Sequence, residues 1–226
     1  MDTVTLSKQN RLFWLGRYAE RVYTTTQYMM KQYDRLIDGE TVDYETFCQK
    51  MGIPCAYDSG DDFCRRYLFD STSPYSVQSG VEAMLGNGMV LRETITSPTL
   101  AYLQMAHSAM ELAARSEAPG VELQWVLDDI MAFRGSCCEY VEDKVGRNVI
   151  NTGTSVERLT LYLRLGYSPE LRRKELSKLL NRAYKSQLTL NQCVRNRLIE
   201  HVLNKETPTM PVSEQLQCVE NLVQGL

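Results

Sequence analysis

Two dipeptides, Glu20-Arg21 and Glu157-Arg158, place a carboxylate beside a guanidinium twice in one chain. Paired carboxylates can divide the roles of general acid and general base. Arginine can grip a carboxylate bidentately and so fix helix register as well as charge. Adjacent helix residues point about 100° apart, so Glu20 and Arg21 cannot face one partner in the same way. One arrangement is reciprocal, with Glu20 against Arg158 and Glu157 against Arg21. The other is a polar cleft in which these four groups, with Arg17 one turn earlier, hold an anionic or peptide-like ligand. The spacing does not select between them.

Other reactive side chains form weaker patterns. Seven cysteines occur, with Cys48, Cys55 and Cys64 separated by six and eight residues, Cys137 and Cys138 adjacent, and Cys193 and Cys218 alone. No Cys-x-x-Cys pair is present and the only histidines are His107 and His201, so neither a metal site nor a disulfide framework is expected. The thiols read as free and mostly buried on helix faces in a reducing cytoplasm. A Cys137-Cys138 nucleophile would need a distant histidine to approach it. Gly80, Gly86 and Gly88 lack the Lys-Ser/Thr and the preceding strand of a phosphate loop, so no nucleotide cofactor is expected.

The elements that position these groups are helices. Leu12, Leu15, Ala19, Val22, Thr26, Met29, Tyr33 and Leu36 alternate spacings of three and four, a helical seam over residues 6–38. Asp38-Gly39 suits its end. Shorter helices are expected over Tyr44–Met51 and Asp61–Phe69. Ser73-Pro74 offers a cap and a first-turn proline for a helix to about Ile95, its glycines permitting a close crossing. Further helices are expected from Ser97 to Arg115, over 121–145 and 147–165 with a kink near Gly146, from Pro169 after the cap Ser168, over Leu188–Leu203, and over Pro211–Val223. No segment alternates as a strand. The expected fold is an all-α, single-domain antiparallel helical bundle.

Shifting the sequence by 137 residues carries Gly16 onto Gly153, Glu20 onto Glu157 and Arg21 onto Arg158. The same shift carries Ala19, Val22 and Thr26 onto Val156, Leu159 and Leu163, so the apolar seams share one phase. A duplicated helix implies a pseudo-twofold internal repeat. Charge is uneven: residues 164–205 hold ten Lys or Arg against three Glu in a chain of net charge −3. Tyr167 and Tyr184 are the only Phe, Trp or Tyr in that span, too few for a stacking platform, which argues against nucleic acid and for a solvated face. Such a surface permits a homodimer without requiring one. No apolar run is long enough for a membrane span, and residues 1–5 lack a secretory signal, so a cytoplasmic location is expected.

Leu12-Phe13-Trp14-Leu15-Gly16-Arg17-Tyr18-Ala19-Glu20-Arg21 resembles the N-terminal signature of the alpha-E family, bacterial helical domains named for a Glu-Arg motif. Asp70-Ser71-Thr72-Ser73-Pro74-Tyr75-Ser76-Val77 resembles the family's Asn-Pro-Ser-Ser-Ile helix start. Asn87-Gly88-Met89-Val90-Leu91-Arg92-Glu93 is similar to its middle helix, and Val156-Glu157-Arg158-Leu159 to its later Leu-Glu-Arg segment. The resemblance is strongest over residues 6–165, with 166–226 as basic C-terminal helices of the same domain. It implies an all-helical fold and a site or clasp drawn from Arg17, Glu20, Arg21, Asn87, Arg92, Glu157 and Arg158. It also implies the company of ATP-grasp and transglutaminase-like proteins, hence a role beside an ATP-grasp amide ligase in making or modifying peptides. The alternative is an enzyme acting on peptide-like or amino-acid-derived substrates through the paired motifs. The sequence departs from the family pattern at Tyr23 and Thr160, where acids are usual, and at Leu85 and Met89, where arginines are. Those losses favour a partner without catalytic activity of its own.

Overall fold

The computed structural model describes residues 5–203 and 210–226. Among them are eleven helices and no strand, the sole β-type pairing being an isolated bridge between Leu190 and Val223. The chain forms two compact units. One comprises residues 1–17 and 143–226, and the other residues 18–142. The first helix, α1 (Leu6–Ile37), begins in the former and continues into the latter.

The unit of residues 18–142 holds the rest of α1 and α2 (Tyr44–Met51), α3 (Gly60–Phe69), α4 (Val77–Val90), α5 (Arg92–Ile95), α6 (Ser97–Ala113) and α7 (Gly120–Tyr140). Local chemistry sets the ends. Asp43 caps α2 by accepting the Thr46 N–H at 3.0 Å, and Gly52 closes it in the left-handed region at φ 68°. Ser59 caps α3 through the Asp62 N–H at 3.1 Å. An aromatic cluster fastens these short helices together: Phe47 stacks on Tyr28 with centroids 4.8 Å apart and meets Phe63 at 5.2 Å. The α6–α7 hairpin buries Leu103, Met110, Ile130 and Phe133, and includes a buried hydroxyl pair, Thr99 and Ser136, at 2.7 Å.

The start of α4 differs from the sequence expectation. Ser76, not Ser73, is the cap, accepting the Ser79 N–H at 3.1 Å. Residues 70–73 are consumed by a turn in which Asp70 accepts from the N–H and hydroxyl of Thr72, and Pro74 falls in the connection that follows. The helix also stops at Val90 instead of running to Ile95, with Leu91 between α4 and α5. Of the three glycines, two permit close packing. A Cβ on Gly88 would lie 2.4 Å from the Leu103 side chain and one on Gly80 would lie 3.1 Å from Val22, whereas Gly86 faces open space.

The other unit holds the start of α1 with α8 (Lys144–Leu165), α9 (Pro169–Ser186), α10 (Gln192–Leu203) and α11 (Val212–Glu220). Gly146 does not mark the break between α7 and α8. The break falls at residues 141–143, where Asp143 caps α8 through the Val145 N–H at 2.9 Å. Gly146 makes room for that cap, since a Cβ there would meet the Asp143 carboxylate at 2.8 Å. Gly166, at φ 75°, ends α8, and Ser168 with Pro169 opens α9 as the sequence suggests. Helices α8 and α9 pack as an antiparallel pair around Leu159, Leu163, Leu176 and Leu179.

Candidate functional site

Helix α1 meets α8 at two glycines. A Cβ built on Gly16 would sit 2.0 Å from the carbonyl oxygen of Ile150, and one built on Gly153 would sit 2.0 Å from that of Phe13. Backbone therefore touches backbone, which no larger residue allows. Thr154 seals the crossing by donating to the carbonyls of Ile150 at 3.1 Å and Gly16 at 3.3 Å.

One turn beyond the glycine, α8 presents Glu157. Its side chain is 3% exposed and its Oε2 accepts from Nε of Arg17 at 2.7 Å. Arg17 is itself stacked, with its guanidinium carbon 4.6 Å from the Trp14 ring centroid. The next residue, Arg158, points toward α9, where its Nη1 lies 3.7 Å from Oε2 of Glu175.

Glu175 is the anionic centre of this unit. Its side chain is 4% exposed and accepts the Ser155 hydroxyl at 2.9 Å and the Lys178 ammonium at 3.3 Å. Arg182 completes the cluster, donating to Ser155 at 2.6 Å and lying 3.8 Å from Glu175. A single buried carboxylate thus faces three cations from two helices. Burial costs a carboxylate its hydration, and neighbouring charge with hydrogen bonds offsets that cost.

The other motif lies in the unit of residues 18–142. Glu20 has a side chain 2% exposed; its Oε2 accepts from Nη2 of Arg134 at 2.5 Å and its Oε1 from the Thr24 hydroxyl at 2.8 Å. Arg134 lies over the Tyr23 ring, 4.4 Å from its centroid. Arg21 lies over the Tyr18 ring at 5.7 Å. Tyr23 and Thr24 thus both take part in holding the Glu20–Arg134 pair.

The remaining sequence candidates sit elsewhere on their helices. Asn87 is half-buried near the end of α4, where its carbonyl accepts the Leu91 N–H at 3.1 Å. Arg92 is 70% exposed in its side chain and pairs with the adjacent Glu93 at 3.1 Å. Sequence reasoning missed Arg134, Ser155, Glu175, Lys178 and Arg182. Arg134 did leave a signal, as the only charged residue between Asp129 and Glu139. Glu175 left less, being one acid within a basic run.

Among the described residues no three His, Cys, Asp or Glu side chains gather as metal ligands would, and no helix is long and apolar enough to cross a membrane. Burial pushes the Cys137 thiol up to about 12, with the Cys138 sulfur adding to the effect. A thiol held neutral in this way is a poor nucleophile.

No curated protein and no solved structure matches the chain. One family model does, over residues 8–196, and its description is a predicted alpha-helical domain with a conserved ER motif. That span takes in both Glu-Arg pairs, the glycine crossing and the carboxylate clusters. The chain belongs to the Alpha-E family.

Proposed function

We propose that this protein is a non-catalytic helical partner of an ATP-grasp amide ligase, presenting a substrate to it or docking it during peptide synthesis or modification in the bacterial cytoplasm. The observation that carries this reading is the burial of both motif carboxylates, Glu20 and Glu157, each held by an arginine. A general base must come within about 2.6–3.2 Å of a substrate proton. Carboxylates already committed to arginine on buried helix faces serve instead to fix register between helices. The family's usual company supplies the ligase, with a transglutaminase-like protein as a further partner. The family match runs through both units, which supports treating the chain as one functional domain. The reciprocal glycine contacts of α1 and α8 support reading these helices as copies of one ancestral segment.

The test is co-expression with an ATP-grasp protein from the same genome, followed by affinity purification through a tag on the ligase. Stoichiometric recovery of this chain is the expected result. Failure to associate, together with turnover of a peptide-like substrate by this chain alone that is lost in Glu157→Gln, would sink the proposal in favour of an enzyme.

A further inference from the structure

A second polar site lies in the unit of residues 1–17 and 143–226, away from the Glu-Arg motifs in sequence. A cavity of about 230 Å³ opens between α9, α10 and the start of α11. Its lining combines Arg172 and Arg173 of α9 and His201 of α10 with the apolar Leu176, Met210, Pro211 and Val212.

The two arginines are what make this cavity unusual. Arg17, Arg134, Arg158 and Arg182 each lie against a buried carboxylate. Neither Arg172 nor Arg173 has a carboxylate partner among the described residues, and the Nε of Arg172 is buried without a hydrogen-bond acceptor. The nearby acids are engaged elsewhere. Glu170, exposed at the start of α9, is held chiefly by its own backbone N–H and by Ser168 and feels Arg172 and Arg173 only as more distant charges, and Glu214 pairs with Arg197. An anion entering the cavity would supply Arg172 and Arg173 with the charge partner they lack. His201 reports the same field: burial and the charges of Arg173 and Arg172 hold it below the usual histidine range, against a smaller opposing pull from Glu214.

We propose that this cavity binds a small organic carboxylate bearing an aliphatic group, such as the C-terminal end of a short peptide. Arg172 and Arg173 hold the carboxylate, since a guanidinium fork matches its two oxygens. Leu176, Met210 and Val212 take the aliphatic group. The volume is below the roughly 300–1,000 Å³ of pockets for drug-sized ligands, which restricts the occupant to about one or two residues. This assignment does not depend on the ATP-grasp reading, because it concerns the purified chain alone.

Titration of the full chain with N-acetyl-leucine, followed by calorimetry, tests it. Saturable binding is expected, weakened at least about tenfold in Arg172→Gln/Arg173→Gln, the loss that removing a charge-assisted hydrogen bond implies. Thermal melts should show the variant folded, since neither side chain holds a structural carboxylate. In a His107→Gln background the His201 imidazole is the only one, and its proton resonance should titrate at higher pH once the ligand is bound. Affinity should rise as pH falls from 7.5 to 5.5, a window in which the carboxylate stays ionised, and His201→Gln should flatten that rise. Equal binding of N-acetyl-leucinamide, unchanged affinity in the double variant, tighter binding of inorganic phosphate, or no saturable binding would each overturn the proposal.

Discussion

Gly16 and Gly153 occupy equivalent places in one reciprocal contact: the missing side chain of each is filled by the carbonyl three residues before the other. The Ile150 oxygen fills the space at Gly16, and the Phe13 oxygen fills it at Gly153, each 2.0 Å from where a Cβ would be. Symmetry extends one residue onward, with the Thr154 and Arg17 backbone nitrogens next nearest to the two positions. The glycine hydrogen that takes the place of the side chain points at a carbonyl, the arrangement of a weak Cα–H···O contact. This crossing places Arg17 one residue past the first glycine and Glu157 four past the second, where they pair.

Adding one methyl group at either glycine should force the helices apart. Gly16→Ala and Gly153→Ala are each expected to lower stability by about 1–3 kcal/mol, the usual cost of overpacking a core, although alanine favours a helix. Gly86→Ala and Gly135→Ala meet nothing within 4 Å. They should instead gain up to about 1 kcal/mol from helix propensity. Urea unfolding of the four variants measures both signs.

Glu20 and Arg134 should behave as a coupled pair. Glu20→Gln and Arg134→Met each leave a charge in a mostly buried setting without its neighbour, at a cost of about 3 kcal/mol. The double variant should cost less than the two single losses combined, with a coupling of about 1–3 kcal/mol. A double-mutant cycle by denaturant unfolding checks this. Strict additivity would mean that the short contact contributes nothing to stability.

Helix existence and the seams of α1 and α8 were legible in the sequence because burial on one face imposes a period, and a period survives without coordinates. The Ser168-Pro169 start of α9 was legible for a local reason, a cap and a fixed φ within two residues. The start of α4 was misassigned because Ser73 and Ser76 offer the same hydroxyl, and the Asp70–Thr72 turn decides between them. At the candidate site, Glu20 and Glu157 were found but Arg134 and Glu175 were not. Those partners come from α7 and α9, more than a hundred residues from Glu20 in the first case and on the next helix from Arg158 in the second. Which face of a distant helix meets a carboxylate depends on the packing of both, and residue spacing within one helix does not encode it.

Around Glu175 the order of losses is predicted by burial. Glu175→Gln removes the charge that three cations share and leaves Arg158, Lys178 and Arg182 facing one another. It should cost about 3 kcal/mol or more. Lys178→Ala should cost at most about 1 kcal/mol, because that side chain is 44% exposed and its pairing is screened by water. Arg182→Ala should fall between, since it also removes a donor to the buried Ser155 hydroxyl. Thermal melts at low and high salt should show the Lys178 effect shrinking with salt and the Glu175 effect persisting.

Thiol labelling should divide the seven cysteines into two sets. Cys55, Cys138 and Cys193 are exposed, whereas Cys48, Cys64, Cys137 and Cys218 are buried. Burial pushes the thiols of Cys48, Cys64 and Cys137 up to about 12, in the first case with help from a hydrogen bond to Cys55. Only the thiolate reacts, so at pH 8 these three should stay unmodified by iodoacetamide while the exposed set is alkylated. Raising the pH to 9 should speed labelling of the exposed set and leave the buried set almost unchanged. Unfolding in urea should expose all seven at once, which peptide mass spectrometry would read directly. Rapid native-state labelling of Cys137 at pH 8 would contradict its place in the α7 core.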